Sequence, residues 1–158
     1  YGTRQALSTP YPGVLAIFAS RLLNDNSPLI FEDGKQKRDF VSVLDIARAS
    51  ILALETPEAA DEVFNIGSGN SYTISEISEK LAAILGKDIK ATITGKYRVG
   101  DIRHCYSDIS KAKAILNYEP QITLEGGLME LSLWLKDQKA EDKVSEASSE
   151  LAARGLTV

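Results

Sequence analysis

The chain has 158 residues, of which 44% are hydrophobic and 25% are charged, a composition typical of one soluble globular domain. Its net charge of -4 argues against nucleic-acid binding, which needs a basic surface. No stretch is long and apolar enough for a membrane helix, and no secretory signal opens the chain, so we predict a cytoplasmic protein with no membrane partner. One cysteine and one histidine exclude an internal disulfide and a Cys/His metal cluster.

The first half of the chain alternates helical and strand patterns. Apolar residues recur at helical spacing from Gly13, after a turn-rich opening that ends in Pro12. The pattern then predicts a short strand over Leu29–Phe31, a second strand over roughly Arg38–Val43, and a helix that Pro57 stops.

The rest of the chain adds two short strands and several helices. Thr73 and Glu76 have the spacing of a capping box, which predicts a helix from there to Leu85. The remaining predicted elements are strands over 63–66 and 89–94 and helices over 108–116, 124–138 and 142–154. The pattern is mixed α and β, with no internal repeat.

The turn Gly67-Ser68-Gly69 lies between a predicted strand and a helix, as in a dinucleotide-binding loop. The fingerprint fails because Tyr72 occupies the position of its third glycine, and no acidic residue follows at the expected distance. We interpret this turn as structural.

Three arginines in loops after strands, Arg38, Arg98 and Arg103, could present forked donors to a diphosphate. Asp101 could accept hydrogen bonds from a ribose, and Phe31 could stack on a base. Taken alone, these residues are better interpreted as solvated surface arginines, local ion pairs such as Arg38 with Asp39, and a core aromatic.

Proton-transfer machinery is not evident in the sequence. His104 is the chain's one histidine, and a residue of this kind is more often hydrogen-bonded in the structure than a general base. Cys105 has no activating partner nearby in sequence. We therefore assign no catalytic residue and no metal ligand.

The order of the motifs carries more information than any one of them. The series consists of Tyr1-Gly2-x-Arg4-Gln5, Leu29-Ile30-Phe31-x-Asp33-Gly34, Arg38-Asp39-Phe40-Val41-x-Val43-x-Asp45, Phe64-Asn65-Ile66-Gly67-Ser68-Gly69, Arg98-x-Gly100-Asp101-Ile102-Arg103-His104 and Leu116-x-Tyr118-x-Pro120. It resembles the extended short-chain dehydrogenase/reductase family, the NAD-dependent epimerases and dehydratases of nucleotide sugars. The resemblance covers the chain to about Gln138, and its details are similar to those of dTDP-rhamnose-type epimerases.

The resemblance implies an α/β protein in two parts, of which this chain is the carboxyl-terminal, substrate-binding α+β lobe. Residues 1–138 are expected to form that lobe, with 38–56 packing on a Rossmann domain whose nucleotide-binding core precedes Tyr1, and 139–158 to form a helical extension. The family's glycine-rich NAD loop and catalytic Tyr-x-x-x-Lys pair are expected upstream, because no tyrosine here has a lysine four residues later. NAD would therefore be bound in the full-length enzyme and not by this chain, which we expect to be inactive alone.

The same resemblance implies the roles of the substrate-binding residues. Arg38 and Arg98 match arginines that contact the nucleotide diphosphate, and Asp101 matches an acid that holds the ribose. The expected set, which adds the start of the first helix and the strand along the base, is Gly13, Val14, Leu29, Phe31, Arg38, Arg98 and Asp101. Cys105 and Thr3 depart from the family pattern, so the base (uridine or thymidine) and the sugar stay open.

The leading hypothesis is thus the substrate-binding portion of an NAD-dependent nucleoside-diphosphate-sugar epimerase. Two alternatives remain: a portion of a sugar-nucleotide dehydratase or decarboxylase, and a standalone module that binds sugar nucleotides or pairs with a separate cofactor domain. The expected partners are a UDP- or dTDP-linked sugar and the Rossmann domain. Relatives are often homodimers through helices of the cofactor domain, so a homo-oligomer is left open for this chain.

Overall fold

The computed structural model describes residues 1–7 and 13–157. The helices of these residues are α1 (Val14–Leu23), α2 (Val43–Glu55), α3 (Ile74–Ile84), α4 (Ser110–Leu116), α5 (Leu124–Leu135) and α6 (Val144–Ala153), with a 3-10 turn at Pro57–Ala59. The strands are β1 (Leu29–Ile30), β2 (Lys37–Arg38), β3 (Tyr72–Thr73), β4 (Thr92–Ile93) and β5 (His104–Cys105). None of these helices combines the length and the apolar character needed to cross a bilayer.

The strands form two small sheets. In one, β1 lies parallel to β4. In the other, β2 is central, antiparallel to β3 and parallel to β5. Because Lys37 and Arg38 pair with His104 and Cys105, the second sheet holds β2 beside the end of the 95–103 loop.

Two apolar clusters hold the helices together. The larger one joins α1, α3 and α5 through fully buried side chains such as Phe18, Leu81 and Leu128. The smaller one joins α2 and α4 around Tyr118 and Ala112. A closely packed interior of this kind fixes the relative positions of the helices and of the loops between them.

The capping box predicted at the start of α3 is present. The Thr73 side chain accepts a hydrogen bond from the Glu76 amide, and the Glu76 carboxylate accepts one from the Thr73 amide at 2.7 Å. Gly86 follows the helix with a φ of 67°, a left-handed conformation that glycine adopts without strain. Both ends of α3 were therefore predicted from local sequence.

The predicted strand over Arg38–Val43 is wrong in extent, since β2 ends at Arg38 and α2 begins at Val43. The Ser42 hydroxyl accepts a hydrogen bond from the Leu44 amide and caps the helix. The Asp39 amide still donates to Cys105 of β5, but further along the Val41 carbonyl and the Val43 amide bond to Tyr1 at 2.9 and 2.7 Å, so the chain there contacts the opening residues.

The predicted strand over 63–66 is also wrong, because the structure has no strand there. Two of its backbone carbonyl oxygens accept hydrogen bonds from side chains and not from a neighbouring strand. Lys111 Nζ donates to the Val63 carbonyl at 2.9 Å, and the Ser107 hydroxyl donates to the Ile66 carbonyl at 3.2 Å. An apolar run shows that a segment is partly buried, but it does not show whether another strand lies beside it.

Candidate functional site

A cavity of about 810 Å³ lies between α1, β1, β2, the 95–103 loop and α6. Its volume falls within the range of ligand-binding pockets. Its lining includes every residue that the sequence analysis proposed for substrate binding: Gly13, Val14, Leu29, Phe31, Arg38, Arg98 and Asp101. A second cavity, of about 430 Å³ between residues 68–72 and 119–125, has no arginine in its lining.

Arg38 is held firmly by the protein. Its Nη2 donates to Oδ1 of Asp101 at 3.1 Å and to the Ile102 carbonyl at 2.6 Å, while Nη1 donates to the Arg103 carbonyl at 2.8 Å and to its neighbour Lys37 at 2.9 Å. Both terminal nitrogens are thus fully used, and Nε–H is the remaining donor of the guanidinium. The local Arg38–Asp39 pair considered from the sequence is not formed, since Arg38 pairs with Asp101.

Arg98 and Arg103 differ in how they are paired. Arg103 donates to Glu32 at 2.5 Å and to Asp33 at 2.8 Å, and its guanidinium lowers the pKa of the Asp33 carboxyl to about 2. Arg98 lines the cavity, and among the described residues its side chain forms no ion pair. Its forked set of donors is therefore available to a planar or tetrahedral anion.

β1 and the residue that follows it differ in burial. Ile30 is 1% exposed and belongs to the larger apolar cluster, although it also lines the cavity, whereas Phe31 is half-buried and lines the cavity without belonging to that cluster. Successive residues of an extended backbone point to opposite faces, so neighbouring side chains are buried to different degrees. The interpretation of Phe31 as a core residue is not supported, and its ring is accessible to a ligand.

The start of α1 also faces the cavity, where Gly13 precedes the helix in an extended conformation. First-turn amides of a helix have no acceptors within the helix and carry the positive end of its dipole. Together with Arg98, this end of the cavity favours a negatively charged group.

Two glutamines in the cavity lining were not predicted from the sequence. Gln36 is 7% exposed, and its Nε2 donates to the Phe31 carbonyl at 2.9 Å, but its Oε1 has no partner within the described residues. Gln5 also has a buried Nε2 without a partner there. The signal for Gln36 was present, because a residue two before Arg38 lies on the same face of an extended strand.

The turn at Gly67-Ser68-Gly69 does not fit a dinucleotide. A side chain at Gly67 would lie 2.2 Å from the carboxylate of Asp39, so this space is already occupied. Asp39 also accepts hydrogen bonds from the amide and the hydroxyl of Ser68 at 3.0 and 2.6 Å. A carboxylate thus takes the donors that a cofactor phosphate would need, which supports a structural role for the turn.

His104 and Cys105 do not form a catalytic pair. Nδ1 of His104 accepts a hydrogen bond from the Lys37 amide at 3.2 Å, at the edge of the second sheet. Cys105 is a free, exposed thiol. Residues of α6, by contrast, line the cavity, although no function was predicted for that helix.

Comparison with known proteins relates the chain to enzymes that modify nucleotide sugars. The family model described as GDP-mannose 4,6 dehydratase matches residues 1–131. The dTDP-L-rhamnose 4-epimerase of Burkholderia thailandensis is 37% identical over 139 residues, which cover 87% of this chain and 38% of that protein. Other relatives are UDP-sugar decarboxylases.

Solved structures agree with this relation. The UDP-glucose 4-epimerase of Thermotoga maritima, determined with UDP-glucose, is 39% identical with a TM-score of 0.77, over 86% of this chain and 43% of that one. The UDP-glucuronic acid 4-epimerase of Bacillus cereus, determined with NAD, is 31% identical with a TM-score of 0.72, over 86% and 40%. The chain thus spans less than half the length of these relatives. The similarity of structure confirms the predicted α/β class.

Proposed function

Because the chain belongs to the GDP-mannose 4,6 dehydratase family, within the extended short-chain dehydrogenases/reductases, we propose that it is the substrate-binding portion of an NAD-dependent nucleoside-diphosphate-sugar 4-epimerase. The observation that carries this proposal is the convergence of all seven expected binding residues on one cavity. These residues come from four segments between residues 13 and 101, and the fold brings the last of them, which carries Arg98 and Asp101, to the other three.

The charges in the cavity suggest how the diphosphate would be held. Arg98 has its full fork of donors available, whereas Arg38 has only Nε–H free unless it releases Asp101. We assign Arg98 the main contact with the diphosphate. Arg38 would hold the loop that carries Asp101 and add one further donor.

The nucleoside would lie beside β1. Phe31 offers an aromatic face for stacking on the base, and Asp101 offers a carboxylate for the ribose hydroxyls. The unpaired Oε1 of Gln36 is a buried acceptor that a donor group of the ligand could satisfy, which removes the cost of leaving it unpaired.

A face of α2 supports the expectation that residues 38–56 pack on a companion domain. Leu44 and Ile51 lie two helical turns apart and are 51% and 53% exposed, and Leu54 is 88% exposed. An apolar surface of this kind on a helix is a typical docking surface. We propose that the Rossmann domain covers it, binds NAD and supplies the catalytic tyrosine and lysine.

The choice between epimerisation, dehydration and decarboxylation depends on groups that contact the sugar, and the proposed cavity fits the shared nucleotide portion of all their substrates. The chain by itself would bind and orient the substrate. Transfer of hydride and proton would depend on the companion domain.

Substitution of Arg98 in the full protein tests the proposal. We expect Arg98→Ala to raise KM for a UDP- or dTDP-sugar by roughly 10- to 150-fold, which corresponds to about 1.5–3 kcal/mol for a lost charge-assisted contact. Arg98→Lys should recover only part of the loss, because an ammonium cannot form the bidentate contact.

Arg154→Ala provides the matched control, since Arg154 is an exposed arginine that does not line the cavity. Its kinetics should stay those of the wild type. Equal KM values in Arg98→Ala and Arg154→Ala would contradict the diphosphate assignment.

A further inference from the structure

The carboxyl-terminal segment 139–157 lies outside the part of the chain that the family model matches, which ends at residue 131. The structure nevertheless gives this segment a definite place. It leaves α5, runs along α1, forms α6 and returns to the 95–103 loop. Its contacts at both ends involve elements that form the candidate substrate site.

One end of the segment is fixed to α1. The Ser20 hydroxyl donates to the Glu141 carbonyl at 2.8 Å, and Arg21 forms an ion pair with Asp142 at 3.0 Å. Both side chains of this ion pair are mostly buried, at 16% and 14% exposure, so water weakens the ion pair less than at the open surface. The beginning of the tail therefore has a fixed position relative to α1.

The other end is fixed to the loop that carries Arg98. Arg98 and Thr157 pair as an antiparallel β-bridge, and the Val99 amide donates to the Leu156 carbonyl at 2.9 Å. Leu151, 7% exposed, is the buried apolar residue of α6. The loop is thus hydrogen-bonded to the tail at Val99, the residue that follows the arginine proposed to bind phosphate.

Between these two ends, one face of α6 lines the cavity. Val144, Ala147, Ser148 and Leu151 have the spacing of a single helical face, and all four belong to the lining. The cavity still measures about 810 Å³ with α6 in place, so room for a ligand remains. The helix therefore acts as a wall of the cavity and does not fill it.

We infer that α6 is a wall of the nucleotide-sugar site and that the tail positions Arg98 for the diphosphate. This inference rests on the proposed function. Its basis is the pair of anchors on either side of α6, together with the small side chains of Ala147 and Ser148 that leave the cavity open. Ser148 thereby becomes a residue on which nucleotide affinity depends, and Thr157 and Leu156 become positioning residues for Arg98.

Two serines of α6 allow a matched test in the full protein. Ser148 is half-buried and lines the cavity, whereas Ser145 is exposed and does not. Ser148→Phe should weaken the binding of UDP and dTDP, measured by isothermal titration calorimetry, at least tenfold, because the ring would occupy ligand space. Ser145→Phe, the same change one turn earlier, should bind within twofold of the wild type.

The link to Arg98 is tested by deleting residues 139–158 from the full protein. Deletion should weaken nucleotide binding at least tenfold, but by less in an Arg98→Ala background, since part of the tail's effect acts through Arg98. Circular dichroism of each variant shows whether the fold is kept. If the deletion variant does not fold, the two serine variants still test whether α6 is a wall of the nucleotide site.

The outcomes separate this inference from the proposed function. If Ser148→Phe binds like Ser145→Phe while Arg98→Ala still loses affinity, the wall is refuted and the proposed function stands. Tighter binding after the deletion would make the tail an obstruction and would also overturn the inference. Failure of the wild type to bind either nucleotide would overturn both.

Discussion

Tyr118 is buried in the smaller apolar cluster, where its hydroxyl group has a hydrogen-bond partner. The side chain is 0% exposed, and its hydroxyl donates to the Gly67 carbonyl at 2.9 Å. Burial raises the pKa of this hydroxyl, and the nearby Asp45 carboxylate raises it further, so the group remains a protonated donor. A single residue thus joins the turn at Gly67 to the end of α4.

Tyr118→Phe should lower the free energy of unfolding by about 1–3 kcal/mol, because the buried Gly67 carbonyl loses its donor. Urea denaturation measures this loss. Tyr106→Phe is the control, since Tyr106 is 59% exposed and the same change there should stay within about 0.5 kcal/mol. Equal stability of the two variants would show that the buried hydrogen bond contributes nothing.

At the scale of elements, the start of α3 is stabilised by two residues, each of whose side chains accepts a hydrogen bond from the backbone amide of the other. Thr73 and Glu76 exchange hydrogen bonds, and those that Glu76 accepts from the amide and hydroxyl of Thr73 lower the pKa of its carboxyl. A lowered pKa in the folded state means that the unfolded state binds more protons as the solution becomes acidic. The stabilisation from the charged cap is therefore complete above the usual pKa of glutamate and is lost as the pH falls through the lowered value.

Thr73→Ala should reduce the free energy of unfolding at neutral pH by about 1 kcal/mol, and Thr73→Ser, which keeps the hydroxyl, should restore most of it. In unfolding experiments from pH 7 to pH 3, the wild type should lose stability relative to Glu76→Gln, because the amide does not titrate. A constant difference between these two proteins across that range would rule out a contribution from the charged cap.

The whole molecule is built from two apolar clusters and one surface that they leave uncovered. α1, α3 and α5 enclose the larger cluster, and α2 buries its inner face against α4 while its outer face remains apolar. The cavity lies at the edge of the larger cluster, so the same packing that buries Phe18 and Leu22 positions the start of α1 toward the ligand. Stability and the candidate site therefore share one scaffold.

If a companion domain covers the outer face of α2, Ile51→Lys should destabilise the full protein by about 2 kcal/mol or more, since it would bury a charge in place of an apolar side chain. Leu133→Lys is the control, because Leu133 is 56% exposed on α5 and Ile51 is 53% exposed on α2. In the 158-residue chain by itself, both changes should stay within about 0.5 kcal/mol. Thermal unfolding of the full protein and of the 158-residue chain measures these changes in stability. If Ile51→Lys and Leu133→Lys destabilise the full protein equally, the result would argue against docking of a domain on α2.

Local sequence determined much of this protein: the helices, the capping box of α3 and the mixed α/β class. These features follow from residues that are neighbours in the chain. Local sequence was misleading at 63–66 and after Arg38, where distant side chains or the opening residues take the backbone groups that a strand would use. A pattern of apolar and polar residues shows which side chains are buried, but it does not identify the segment that packs against them.

Only the tertiary structure decided which charges meet. Arg38 and Asp101 are separated by 63 residues in sequence, and their ion pair uses donors of Arg38, whereas Arg98 forms no ion pair with the described residues. The position of α6 beside the cavity also depends on contacts between residues far apart in the chain, such as the hydrogen bond from Ser20 to the Glu141 carbonyl. Side-chain pairing and cavity walls arise from packing between distant segments, and for that reason the sequence proposed the residues of the site while only the fold brought them to one cavity.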